Sequence, residues 1–164
     1  MERATTLIDL SAGPVEYRLE RRGPRVVLML HGGHMRAGLP LGEEVFADAG
    51  CTVLAVSRPG YGRTPLATGT APDQFAAVVG ELCRRLGIAS LTAAVGQSAG
   101  GPTAVTLAAR QPGLVERVIL ESPVGSSWKA RSGSCPGPVD APGRARASSS
   151  TPEPNRSPGR CSTY

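Results

Sequence analysis

The stretch that most limits what this chain can fold into is Val95-Gly96-Gln97-Ser98-Ala99-Gly100-Gly101. An apolar run, Leu91 to Val95, enters it with the character of a buried strand. A run rich in small residues, Ala99 to Arg110, leaves it with the character of a helix. Between the two, a serine has glycine two places before it and two places after it, the G-x-S-x-G pattern. A strand that turns into a helix within so few residues brings backbone against backbone. Side chains at 96 and 100 would collide with the neighbouring strand and helix, so hydrogen is the tolerated substituent there. The same turn lifts the Ser98 hydroxyl clear of the sheet. It also points the first N–H groups of the following helix at the place where negative charge would develop. Glycine makes up 21 of the 164 residues, so the pentapeptide alone carries little weight. The strand before it, the helix after it and a second motif upstream give it force.

The rest of the chain alternates strands and helices around that turn. Thr5 to Leu10 and Val15 to Glu20 flank Ser11-Ala12-Gly13-Pro14 and predict an opening hairpin at a sheet edge. Val26 to Leu30 is apolar throughout, as in a strand covered on both faces. It ends in His31-Gly32-Gly33-His34, where glycine lets backbone approach a substrate oxygen. A backbone N–H of Gly33, or failing that of His34, together with that of Ala99 would form an oxyanion hole. Leu41 to Ala49 predicts a short helix closed by Gly50, and Cys51 to Val56 a further buried strand followed by a rigid loop, Ser57 to Thr64. Thr70-x-x-Asp73 with Pro72 predicts a helix start of the capping-box kind. Phe75, Val78, Val79, Leu82 and Leu86 then form a core-facing stripe, and Gly87 ends the helix. Gln111-Pro112-Gly113 breaks the chain before another buried strand, Val118 to Leu120, which runs into Glu121. Six strands over residues 5–123, mostly continuous in apolar character, predict an α/β protein: a mostly parallel sheet with helices on both faces.

Composition narrows the function classes. The four cysteines show no C-x-x-C pair and no metal-ligand spacing, and Cys51 and Cys83 fall on apolar faces as buried thiols. Nothing in the sequence points to a metal or an organic cofactor. The net charge is +5, but residues 1–125 contribute only +1 and residues 126–164 contribute +4. The basic balance therefore belongs to the tail and does not define a nucleic-acid face on the folded part. In that tail only Trp128 and Tyr164 are aromatic, so a nucleic-acid partner is not expected. The longest apolar run is far too short to span a bilayer, and the first residues open directly into a strand, so no membrane partner and a cytoplasmic location are expected.

Three segments in order, His31-Gly32-Gly33, Ser57-Arg58-Pro59-Gly60-Tyr61-Gly62 and Gly96-Gln97-Ser98-Ala99-Gly100-Gly101, resemble the α/β-hydrolase superfamily. The resemblance covers residues 5–124, the N-terminal half of such an enzyme. It implies Ser98 as nucleophile, Gly33 and Ala99 as oxyanion donors, and a small-molecule acyl substrate such as an ester. It also puts Arg58 and Tyr61 on a loop bordering the substrate cleft, where they either touch substrate or only hold the loop. It does not name the substrate or the oligomeric state.

A serine needs a base within reach, and the base needs an orienting acid. In this fold both follow the serine in the chain. Both histidines of this sequence, His31 and His34, precede Ser98. A structural role in the oxyanion loop suits them better than that of base. Glu121 has no later histidine to orient, and Asp140 lies in the tail. Removing the histidine of a serine-protease triad costs about a million-fold in kcat, so little turnover is expected of this chain. A non-catalytic binding module on the same half-fold is the alternative. The division predicted is a hydrolase-like part, 1–125, and a tail, 126–164, that holds no Leu, Ile, Met or Phe and cannot bury a core. Two origins fit that tail: a natural disordered segment, or the product of a shifted reading frame.

Overall fold

The computed structural model describes residues 2–125. The tail at 126–164, with Cys135, Asp140 and Cys161, lies outside the described residues. In chain order the elements are β1 (Thr6–Leu10), β2 (Gly13–Glu20), β3 (Val26–Leu30), α1 (Glu44–Asp48), β4 (Thr52–Val56), α2 (Pro72–Arg85), β5 (Ala93–Gln97), α3 (Gly101–Arg110) and β6 (Val118–Glu121). The strands form one sheet in the order β1-β2-β4-β3-β5-β6. β1, β2 and β4 pair antiparallel, as the opening hairpin requires, while β4, β3, β5 and β6 run parallel. β3 is the centre: Leu28 lies opposite Leu54 of β4 on one side and Ala94 of β5 on the other.

Alternate residues of the central strands feed two cores. Leu28, Leu30, Leu54 and Val56 pack with Phe75, Val79 and Leu82 of α2 and Ala104 and Leu107 of α3. Val27, Met29, Val53 and Ala55 pack on the opposite face, against Phe46 and Ala47 of α1. This period of two, covered on both sides, is why the strands read as unbroken apolar runs. Each leucine so buried contributes on the order of 2 kcal/mol of transfer free energy. Cys51 and Cys83 are buried thiols, one in each core. Burial pushes the Cys83 thiol up to about 12.

Several boundaries differ from the sequence-based expectation, each for a local reason. The first helix covers Glu44–Asp48 rather than 41–49, because Gly42 sits at φ 78° and Leu41 donates its N–H to the Glu43 carboxylate instead of joining a helical turn. α2 starts at Pro72 with Ala71 as its cap, not Thr70. The residue before a proline is pushed to extended backbone, and Ala71 has φ −80° and ψ 144°. The reciprocal bond comes from Gln74, whose Oε1 accepts the Ala71 N–H, and not from Asp73. β5 is shifted to Ala93–Gln97, and Leu91 forms an isolated bridge with Val115. The helix expected from Ala99 begins at Gly101, after a 3₁₀ turn over Ser98–Gly100. β6 is not a buried strand: Val118 is 37% exposed and Leu120 44%. It is an edge among the described residues. No helix in the described region is long and apolar enough to cross a membrane.

Candidate active site

Because β3, β4 and β5 are parallel, the segments that leave them emerge at one end of the sheet: His31-Gly32 from β3, Ser57-Arg58 from β4 and Ser98 from β5. Ser98 sits at φ 45°, a left-handed conformation that costs a non-glycine residue on the order of 1 kcal/mol or more. Surrounding contacts hold it there. A Cβ on Gly96 would lie 2.6 Å from the Gly101 Cα, and a Cβ on Gly100 would lie 2.1 Å from the Leu30 carbonyl oxygen. The turn is thus jammed between β3 and its own helix, and only hydrogen fits at either glycine. On the far side, the chain after β6 returns to the turn, and the Val124 N–H donates to the Ser98 carbonyl at 3.0 Å.

Of the two glycines after β3, Gly32 is the one against the serine. A Cβ there would meet the Ser98 Cβ at 3.2 Å and the Oγ at 3.9 Å, whereas around Gly33 there is open space. Gly33 and His34 are both exposed, and His34 takes a positive φ of 60°. Sequence reasoning passed over Gly32, since the spacing of two adjacent glycines does not say which one faces the turn.

His31 is fully buried and both of its ring nitrogens are taken. Nε2 accepts the Arg58 backbone N–H at 2.9 Å, which leaves Nδ1 as the protonated nitrogen, donating to the Gly32 carbonyl at 2.7 Å. Burial, reinforced by the Arg58 charge and only partly offset by the Gly32 carbonyl, pushes its pKa down to about 4. Near neutral pH it is an uncharged strut that joins the loops after β3 and β4. Its ring meets Tyr61 edge-on, with centroids 5.1 Å apart, and the Arg58 guanidinium lies 5.1 Å from the centre of the same Tyr61 ring. Arg58 also donates from Nη1 to the Ala99 carbonyl at 2.8 Å, tying its loop to the serine turn. Glu121 accepts from Gln97 Nε2 at 2.8 Å at the end of β6.

A buried carboxylate fixes the loop from below. Glu16, 5% exposed, accepts from Ser57 Oγ at 2.7 Å, Thr5 Oγ1 at 2.8 Å and Arg63 Nε at 3.1 Å. Burial alone would raise its pKa, but those hydrogen bonds outweigh it and hold the carboxyl below its ordinary value. The Ser57 hydroxyl in turn accepts the Ala37 N–H at 2.9 Å. A side chain on Gly62 would run into the Glu16 carboxylate, at 1.8 Å from Oε2, so loop and carboxylate fit only with glycine there.

An open α/β sheet with a strained serine at the carboxyl ends of its parallel strands defines the class: enzymes and binding proteins whose site lies where the strand order reverses. The chain belongs to the alpha/beta hydrolase fold family, whose model matches residues 25–148. Among curated relatives, an uncharacterized hydrolase of Bacillus subtilis is 30% identical over 128 residues, 78% of this chain and 44% of its own length. A 2-hydroxy-6-oxononadienedioate/2-hydroxy-6-oxononatrienedioate hydrolase of a Pseudomonas species is 26% identical over 126 residues, 71% of this chain and 44% of its own length. Among solved structures, an alpha/beta hydrolase fold protein of Nakamurella multipartita superposes with a TM-score of 0.68 at 31% identity, over 74% of this chain and 42% of that one. A probable hydrolytic enzyme of Pseudomonas aeruginosa superposes with a TM-score of 0.65 at 28% identity, over 75% of this chain and 42% of that one. The chain thus spans less than half the length of these relatives.

Proposed function

We propose that this chain carries the nucleophile half of a hydrolase acting on an ester or related small acyl compound. Ser98 Oγ would attack the carbonyl carbon as its proton passes to water, the C=O electron pair would move onto oxygen, and collapse of that adduct would release the alcohol and leave the acyl group on Ser98. The Ala99 N–H and one N–H of the Gly33–His34 segment would hold that oxyanion. The observation that carries the reading is the Ser98 backbone at φ 45°, kept by glycines that admit no side chain. Strain of this kind persists where it positions a reacting group. The relatives' names, all hydrolases, support it. The test is labelling with a fluorophosphonate. A covalent adduct at Ser98 that is absent from Ser98→Ala is the expected result, and folded protein that never labels would overturn the reading.

The alternative, a non-catalytic module that binds a carbonyl compound, is favoured by one observation. His31 has no free ring nitrogen, and no histidine follows Ser98 in the 164 residues. Without a base, an oxyanion hole and binding give only about 10³–10⁴ over water. Turnover of p-nitrophenyl acetate at ordinary hydrolase rates, lost in Ser98→Ala, would exclude that alternative.

A further inference from the structure

Beside the serine turn, on the side of the β4 loop, lies a small cavity of about 160 Å³. Its wall includes Arg58, Ala99 and Thr103, with Phe75 and Leu66 forming an apolar side. None of the lining residues is acidic. Arg58 forms no ion pair with any described residue. Its Nη1 is bonded to a neutral carbonyl, and its Nε is enclosed without a hydrogen-bond partner among the described residues. Thr103 is 4% exposed and lines the same cavity. A guanidinium with no counter-charge among the described residues and the Thr103 side chain line one half-open space. An enclosed Nε–H without a partner is costly unless something accepts from it. The cavity also takes in the first turns of α2 and α3, at Pro72 and at Pro102 and Thr103, where helix ends carry partial positive charge. The nearest negative group on those turns, Asp73, faces Arg110 at 3.6 Å.

We propose that this cavity is an anion subsite that takes the carboxylate of a small organic acid. The Arg58 guanidinium and the Thr103 hydroxyl donate to the carboxylate oxygens, and a short hydrocarbon stem rests on Phe75 and Leu66. The space admits a carboxylate and a few carbons, not a whole drug-sized ligand. In calling this group part of the hydrolase substrate the proposal rests on the reading above, but binding itself needs no chemistry at Ser98.

The experiment is an NMR titration of the full chain with acetate and with succinate at constant ionic strength, following the amides of Ala99 and Thr103 and the Arg58 Nε–H. The expected result is saturable shifts at these three groups. Binding should weaken at least tenfold in Arg58→Met and several-fold in Thr103→Val, stay within a few-fold in Arg58→Lys, and be unchanged in Arg117→Met. Absence of saturable shifts in the unaltered chain, or equal affinity in Arg58→Met and Thr103→Val, overturns the proposal. Should Arg58→Met lose its dispersed spectrum, Thr103→Val and Arg58→Lys decide. Binding of carboxylate by protein that is never labelled at Ser98 would keep the subsite and discard the hydrolase reading. Labelling without binding would do the reverse.

Discussion

β4 and β6 are built from the same kinds of residue, Thr-Val-Leu-Ala-Val and Val-Ile-Leu-Glu, and meet opposite environments. All five residues of β4 are buried, between β2 and β3 in the plane and between two cores above and below. β6 has a single described neighbour, β5, and three of its four residues are exposed. The lesson is that apolar character reports what a strand could bury, while position in the sheet decides what it does bury. The difference separates a rigid centre, which holds the serine turn, from a lightly held margin.

The largest test of that contrast is steric. Gly100→Ala drives a methyl group into the Leu30 carbonyl of the central strand and is expected to cost about 3 kcal/mol or more, or to prevent folding. Gly101→Ala meets Pro123, just beyond β6, at 2.8 Å. There the margin yields, and a cost of about 1 kcal/mol is expected. Urea unfolding of both variants measures the gap, and equal losses would remove the distinction. Next, Leu54→Ala in β4 should cost about 3 kcal/mol, against less than about 1 kcal/mol for Leu120→Ala in β6.

His31 gives the centre a pH dependence. Its pKa is near 6.5 in the unfolded chain and about 4 in the folded one. Between those values the unfolded chain holds the extra proton. Stability is therefore full above pH 6.5, falls as pH drops through the window, and levels off below pH 4, a total of about 3 kcal/mol. Most of the fall between pH 6.5 and 5 should vanish in His31→Gln, as read by denaturation at each pH. The smallest effect is expected at the margin: Leu120→Lys should leave stability within about 0.5 kcal/mol, as read by urea unfolding. A larger loss would show β6 to be covered in solution.

The serine turn was legible in the sequence because its steric demands are local. Gly96 and Gly100 must be glycine for reasons set within a few residues of Ser98 and by the strand next to it. The buried character of β3 and β4 was legible for the same reason, as unbroken apolar runs. Glu16 and Arg18 were not. On β2 they occupy the polar half of an alternating pattern and read as a solvated face, yet both are buried. Arg18 donates to Glu43 and to the Ala37 carbonyl and pairs with Glu20, while Arg3 also reaches Glu43. Glu16 is satisfied by Ser57 and Arg63. Apart from Glu20, two places along β2, these partners arrive from segments remote in the chain, and no local period records them. Gly32 was missed in the same way, since its neighbour Ser98 follows the adjacent strand β5, far away in sequence. The exposure of β6 escaped because its composition matches that of a covered strand.

The strand order also has a consequence in time. Translation delivers β3 early, at residues 26–30, and β4 can pair with it once Val56 has left the ribosome. The other edge of β3 stays open until Ala93–Gln97 arrive, with all of α2 synthesised in between. Pairings so distant in sequence are slow to form. On a ribosome the serine turn therefore takes shape well after the loops that follow β3 and β4. Until then the exposed edge of β3, rather than that of β6, is the surface most open to mispairing.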